Sequence, residues 1–166
     1  MEGFMDCIQY LAVVSFLGFL SGRALPKRIF RADRFPFQSF AFEKNGEIYE
    51  KLGIRHWKGR VPDMSRIFPK LIPSKDISEN EHLPPQERYE MMVQETCIAE
   101  LVHDLLCLAG LVCIRIWKQT GGVVVSVLYA VGNLIFVMIQ RYNRPRFLAI
   151  LKRYGGHSER KRVCRI

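Results

Sequence analysis

The stretch "QETCIAELVHDLLCLAGLVCI", residues 94–114, holds Glu95, Glu100, His103 and Asp104 ahead of an almost wholly apolar run. At about 100° per helical residue, these four fall with Thr96 and Cys107 on one side of a helix. Ile98, Leu101, Val102, Leu105, Leu108 and Ala109 fall on the other. Glu100 and His103 are i,i+3 neighbours, which sets a carboxylate beside an imidazole. Such a carboxylate orients the ring and raises its basicity, the logic of an assisted general base. Acids at a helix start also favour the macrodipole, which is the plain alternative for Glu95. Glu100, His103 and Asp104 lie deeper. There an ionisable group costs roughly 2.5–3.5 kcal/mol to insert and is functional by default. Glu95, Glu100 and His103 also supply three O/N ligands on one stripe, so a metal site stays open as an alternative.

A second constellation follows in the next apolar block. Ser126, Asn133 and Gln140 recur at every seventh residue, with Tyr129 close by, so they nearly align along one helix. Such a seam serves either helix packing or chemistry. Directly after it comes "QRYNRPR", residues 140–146, with Arg141, Tyr142, Asn143, Arg144 and Arg146, the cluster being ended by Pro145. Three arginines there anchor topology at the least, and bidentate binding of an anionic group is the sharper reading.

Three apolar blocks must position these groups: residues 7–25, 97–117 and 122–140. Each is about the ~20 residues that cross a bilayer. The fold expected is therefore all-α: a single membrane domain, residues 1–166, with about three transmembrane helices. A polar segment, 26–96, separates the first two, and a basic tail, 141–166, ends the chain. "MEGFMD" carries two acids and no base, which favours a retained span over a signal peptide. The net charge of +9 collects behind the first span (Arg23, Lys27, Arg28, Arg31, Arg34) and behind the third. By the positive-inside rule the amino terminus is outside, and segment 26–96 and the carboxyl terminus are cytoplasmic. The charge flanks the spans, so membrane lipids account for it and no nucleic-acid partner is expected. "RIFRADRFPFQSFAFEKNG" mixes basic and aromatic residues with Pro36, as an interfacial segment does. A short helix is expected from Glu47 to about Arg55, then a turn to Pro62 and a loop. A further helix, with Pro85 in its first turn, should run unbroken into the second span. "KQTGG", residues 118–122, closes an antiparallel hairpin that brings His103 level with the Asn133–Gln140 end of the third span. Five cysteines show no CxxC spacing, so neither a zinc site nor a disulfide framework is expected. No G-x-S-x-G, P-loop, GxGxxG or HExxH occurs, which argues against serine hydrolases and nucleotide hydrolysis.

"LGIRHWKGRVPD", "ETCIAELVHDLL" and "YAVGNLIFVMIQRYNRPRFLAIL" resemble the small glycosyl-4,4'-diaponeurosporenoate acyltransferase family. The matching positions are Trp57, Lys58, Pro62, Glu95, Thr96, Glu100, His103, Asn133, Gln140, Arg141, Tyr142, Asn143, Arg144 and Arg146. Asp104 departs from the family, which often has an aromatic there. The resemblance implies a membrane acyltransferase that esterifies the sugar of a glycosylated C30 carotenoid, with an acyl thioester such as acyl-CoA as donor and no resident cofactor. Acyl transfer needs a base for the acceptor hydroxyl and donors for the oxyanion. His103 backed by Glu100 is the expected base, with Glu95 nearby, and Asn133 with Gln140 or Arg141 the expected donor set. Trp57, Lys58, Tyr142 and Asn143 join the expected substrate-binding set. Arg144 and Arg146 are expected to hold the donor's phosphates, while the acyl chain lies between the spans. A non-catalytic assembly or lipid-binding protein is the alternative of another class.

Overall fold

The computed structural model describes residues 2–61, 83–118 and 120–163, with side chains described as far as Tyr154. The apolar blocks form long helices because a chain in lipid must satisfy its backbone groups internally. They are α1 (Glu2–Ala24), α4 (Pro85–Gly110) and α6 (Thr120–Val163). Two short helices, α2 (Glu47–Lys51) and α3 (Ile54–Trp57), lie between the first two, and α5 (Cys113–Ile116) precedes the reversal into α6. No strand occurs among the described residues. Three segments are long and apolar enough to cross a membrane: Glu2–Ala24, Pro85–Ile116 and Thr120–Tyr154. Their outward faces carry Phe16 and Leu17 on α1, Leu105 and Leu108 on α4, and Val127 and Leu128 on α6, all exposed. Such a belt of bare apolar side chains has lipid as its natural solvent.

α4 starts at Pro85, as the sequence indicates, and runs without a break into its apolar half. The reversal is wider than the five residues 118–122. A turn at Leu111 and Val112 and the single turn of α5 come first. Gly122 makes the re-entry possible, since a Cβ there would meet the Trp117 carbonyl oxygen at 2.2 Å. The helix expected from Glu47 to about Arg55 is split into α2 and α3 at Gly53, whose φ of +69° favours glycine. The loop beyond Val61, with Pro62 and His82, lies outside the described residues, as does Cys164. Pro145 ends nothing: α6 continues through it. Proline removes a backbone bond and crowds the preceding turn. Here Arg141, Tyr142 and Arg144 are tied by side-chain bonds to α4 and to the segment after α1, and these hold the helix across it.

α1 lies antiparallel to α4. Gly18 and Gly22 admit Val102, Leu106 and Ile98, while Tyr10 Oη donates to the Ala109 carbonyl at 3.1 Å. Ser15 and Tyr129 share a hydrogen bond of 2.8 Å that ties α1 to α6. Cys7, Leu11 and Cys113, with Trp117 and Tyr129 against them, form the core at the end that holds the amino terminus and the hairpin turn. At the opposite end Phe30, Phe37, Cys97 and Ile98 close one cluster, and Tyr49, Ile54 and Tyr142 another. The basic segment 27–60 and the basic residues of α6 therefore share one end of the bundle.

Candidate active site

The polar centre of the molecule is a buried ion-pair network at that charged end. Glu100, fully buried on α4, accepts from Arg141 Nε at 2.8 Å on Oε1 and from Arg144 on Oε2. Arg141 also donates to Glu43 Oε1 at 2.9 Å and to the Pro36 carbonyl at 2.8 Å. Arg144 donates to Thr96 Oγ1 at 3.0 Å, to the Thr96 carbonyl at 3.1 Å and to the Phe37 carbonyl at 2.5 Å. Glu43 completes the charge balance. It accepts the Phe40 amide at 2.8 Å and the Tyr49 hydroxyl. Two guanidiniums thus meet two carboxylates, and every one of these side chains is at most 12% exposed. The planar guanidinium fork suits this many directed bonds at once. Burial works against the Glu43 charge. The hydrogen bonds from Tyr49, Arg141 and the Phe40 amide outweigh it and hold the carboxyl below its ordinary range. Burial, and then the carboxylate it serves, push the Tyr49 phenol well above its usual value.

Deeper in the hairpin, His103 Nδ1 lies 2.8 Å from Asn133 Oδ1. Asn133 is buried, and its Nδ2 donates to the Tyr129 carbonyl at 2.9 Å, which aims its oxygen at the ring. The imidazole also stacks on Phe136, with centroids 4.7 Å apart and planes 5° from parallel. An amide oxygen can only accept, so this contact places the ring proton on Nδ1 and makes Nε2 the basic nitrogen of the neutral ring. The two polar stripes of the hairpin do meet. They meet in a different pairing from the i,i+3 one along α4: Asn133 orients the imidazole, and both oxygens of Glu100 are committed to arginines. Asn133 Nδ2 and the Arg141 guanidinium already donate to Tyr129, Glu100, Glu43 and Pro36. Among the expected oxyanion donors Gln140 is half-buried on the face of Asn133 and without a hydrogen bond to the described residues.

A third group surrounds Tyr142, which is buried where α2 and α3 rest on α6. The Arg146 guanidinium sits 3.4 Å from the ring centroid and Lys58 Nζ 4.8 Å from it. Arg55 Nε donates to the Tyr142 hydroxyl at 3.3 Å, and Lys58 donates to Asn143 Oδ1 at 3.2 Å. Glu50 pairs with Arg55 at 2.5 Å and with Arg146. The Arg55 hydrogen bond leads in holding the Glu50 carboxyl below its ordinary range. Trp57 donates from its ring nitrogen to the Leu52 carbonyl at 3.1 Å, which braces the turn between α2 and α3.

Beside the ion-pair network opens a cleft of about 960 Å³. Glu43, Arg141 and Arg144 form part of its wall, together with Ser39, Asn45 and Gln94 and the apolar Val93 and Leu148. Glu95 faces elsewhere and pairs with Lys27 at 2.6 Å. Glu95, Glu100 and His103 therefore take separate partners, and among the described residues no three His, Cys, Asp or Glu side chains gather at metal-binding range. Asp104 makes no hydrogen bond or ion pair with the described residues. Arg144, expected to hold phosphates, is 4% exposed and directs its hydrogen bonds to Thr96, Phe37 and Glu100. Glu43, Tyr49 and Arg55 were not singled out by sequence reasoning. Glu43 leaves one trace, a single acid among the aromatic and basic residues of 34–44.

An all-α membrane protein, with a buried Arg–Glu network and an oriented histidine at one end of its helical hairpin, is the class that fold and site define. A model of the glycosyl-4,4'-diaponeurosporenoate acyltransferase family matches residues 28–153. Proteins of that description from Staphylococcus aureus strains MRSA252 and bovine RF122 are 32% and 31% identical to this chain, each over 92% of both sequences. The chain belongs to this family and is an acyltransferase. No solved structure matches it.

Proposed function

We propose that this protein transfers a fatty acyl group from a thioester donor to a sugar hydroxyl of a glycosylated carotenoid, and that His103 is the general base. The glycosyl-carotenoid acceptor is named in the relatives' description. The observation that carries the mechanism is the 2.8 Å contact between His103 Nδ1 and Asn133 Oδ1, which makes Nε2 the proton acceptor. His103 Nε2 takes the proton of the acceptor hydroxyl as its oxygen attacks the thioester carbonyl carbon. Gln140 supports the oxyanion. When the carbon–sulfur bond breaks, the imidazolium returns the proton to the leaving thiolate, so an ester and a free thiol result and the base is restored. The carotenoid and the acyl chain stay in lipid against α4 and α6. The charged end faces the cytoplasm, in keeping with its excess of Lys and Arg.

Mass spectrometry of pigments extracted from cells making the glycosylated carotenoid tests this reading. Cells with the protein should gain a species heavier by one fatty acid less water. Identical extracts with and without the protein would leave it without an acyltransferase role on that acceptor.

A further inference from the structure

Arg141 and Arg144 are matched charge for charge by Glu43 and Glu100, and their bonds point into the protein. The cations around Tyr142, on the same turns of α6, are not matched. Arg55, Lys58 and Arg146 converge there with Glu50 as the one acid paired to them among the described residues, which leaves the group at +2. Tyr142, 3% exposed, is a rigid post that fixes all three through its ring and its hydroxyl. Cations held this close repel one another unless something compensates, and the ring quadrupole offsets only part of that. The groups stay accessible: the side chains of Arg55 and Arg146 are 66% and 34% exposed. Arg55 keeps Nη1, and Lys58 keeps two of its three N–H groups, outside any hydrogen bond to the described residues.

Two planar forks and one compact ammonium, preorganised and at +2, suit a phosphate. A phosphomonoester carries about −1.5 to −2 and presents three acceptor oxygens. We propose that Arg55, Lys58 and Arg146 form the phosphate-binding clamp of the acyl donor, a coenzyme-A-type thioester. This rests on the acyltransferase mechanism assigned to His103 and moves the anion site away from Arg144. A lipid headgroup phosphate offers the same chemistry, and the experiment separates the two sources.

The full chain is placed in nanodiscs of zwitterionic lipid and titrated with coenzyme A, with and without its 3'-phosphate, by calorimetry. Lys58→Met and Arg146→Gln should each weaken binding about tenfold or more, the loss expected for a charge-assisted hydrogen bond. Arg55→Lys should keep most of the affinity, because it keeps the charge. Glu50→Gln should tighten binding, because it raises the group to +3, and an element that merely held α2 on α6 would not respond in that direction. Added salt should weaken the wild type more than the Lys58 variant. His103→Ala protein should bind coenzyme A as the wild type does, so a failure of the catalytic reading stays distinct from a failure of the clamp. The circular dichroism of each variant reports that it is folded. Folded Lys58 and Arg146 variants that bind coenzyme A like the wild type would overturn the proposal. So would a loss confined to co-sedimentation with phosphatidylglycerol vesicles, which would make the cluster a headgroup site.

Discussion

Replacing Glu100 by Gln keeps the shape of the side chain and removes its charge. In the wild type each carboxylate oxygen meets a guanidinium, and the Arg141 and Arg144 side chains are only 12% and 4% exposed. The amide can still accept one of these bonds. Its NH₂ group must then face the other guanidinium, donor against donor. Two buried cations would share Glu43 alone, and removing one partner of a buried pair costs about 3–5 kcal/mol. At 1.36 kcal/mol per factor of ten, the opening equilibrium of this region should rise roughly 10²- to 10³-fold or more. Cys97 reports on it, being fully buried beside Thr96. With Cys7, Cys107, Cys113 and Cys164 replaced, a membrane-permeant maleimide should label Cys97 of the Glu100→Gln protein faster by about that factor. Adding Arg144→Met restores the balance to one cation and one anion, so the double variant should open less readily than the two single effects summed predict, by ~1 kcal/mol or more. Labelling of Cys97 in Glu100→Gln at the wild-type rate would refute the reasoning, and strictly additive effects would show that the charges are not coupled.

Other outcomes follow from the same geometry. Asn133→Leu removes the acceptor at His103 Nδ1 and lets the ring turn or change tautomer. The rate of acyl transfer should fall about tenfold or more with KM little changed, as lost transition-state positioning does. For pH, Glu43 is held below its ordinary value in the fold, so its contribution is complete above the unfolded carboxyl pKa, about 4.5, and is lost as pH falls through the lower folded value. Glu43→Gln protein should therefore be less stable than wild type at neutral pH, and the gap in thermal midpoint should narrow below about pH 4.5. For orientation, in a cysteine-free background, cysteine at Lys118 should react with an impermeant reagent added to intact cells and cysteine at Glu47 should not. The reverse pattern would invert the topology proposed above.

Much of this architecture is legible in the sequence because lipid leaves few options. The apolar blocks, the start of α4 at Pro85 and the facing of His103 and Asn133 follow from length, helix signals and one short reversal. Which acid would serve which base was not legible. Glu100 lies one turn from His103 along its own helix, and local spacing favours that pair. The decisive partners, Arg141 and Arg144, come from α6, more than forty residues away. Nor does the pattern reveal Glu43, because it lies in an irregular 3₁₀ stretch, Ala41–Gly46, where no periodicity assigns it a face. Pro145 misleads for a related reason: its local preference for ending a helix is overridden by side chains anchored on both flanks.

The central claim is that His103, oriented by Asn133, removes the proton from the acceptor hydroxyl. It is tested most directly by single-turnover acyl transfer from acyl-coenzyme A to a glycosylated carotenoid, comparing wild-type and His103→Ala protein in nanodiscs. Binding of coenzyme A and the labelling rate of Cys97 confirm that both are intact. Loss of a general base costs ~10²–10⁴ in rate. The variant should fall by that factor while donor affinity holds. An intact His103→Ala protein that transfers the acyl group at close to the wild-type rate would contradict the assignment and make the histidine part of the packing between α4 and α6.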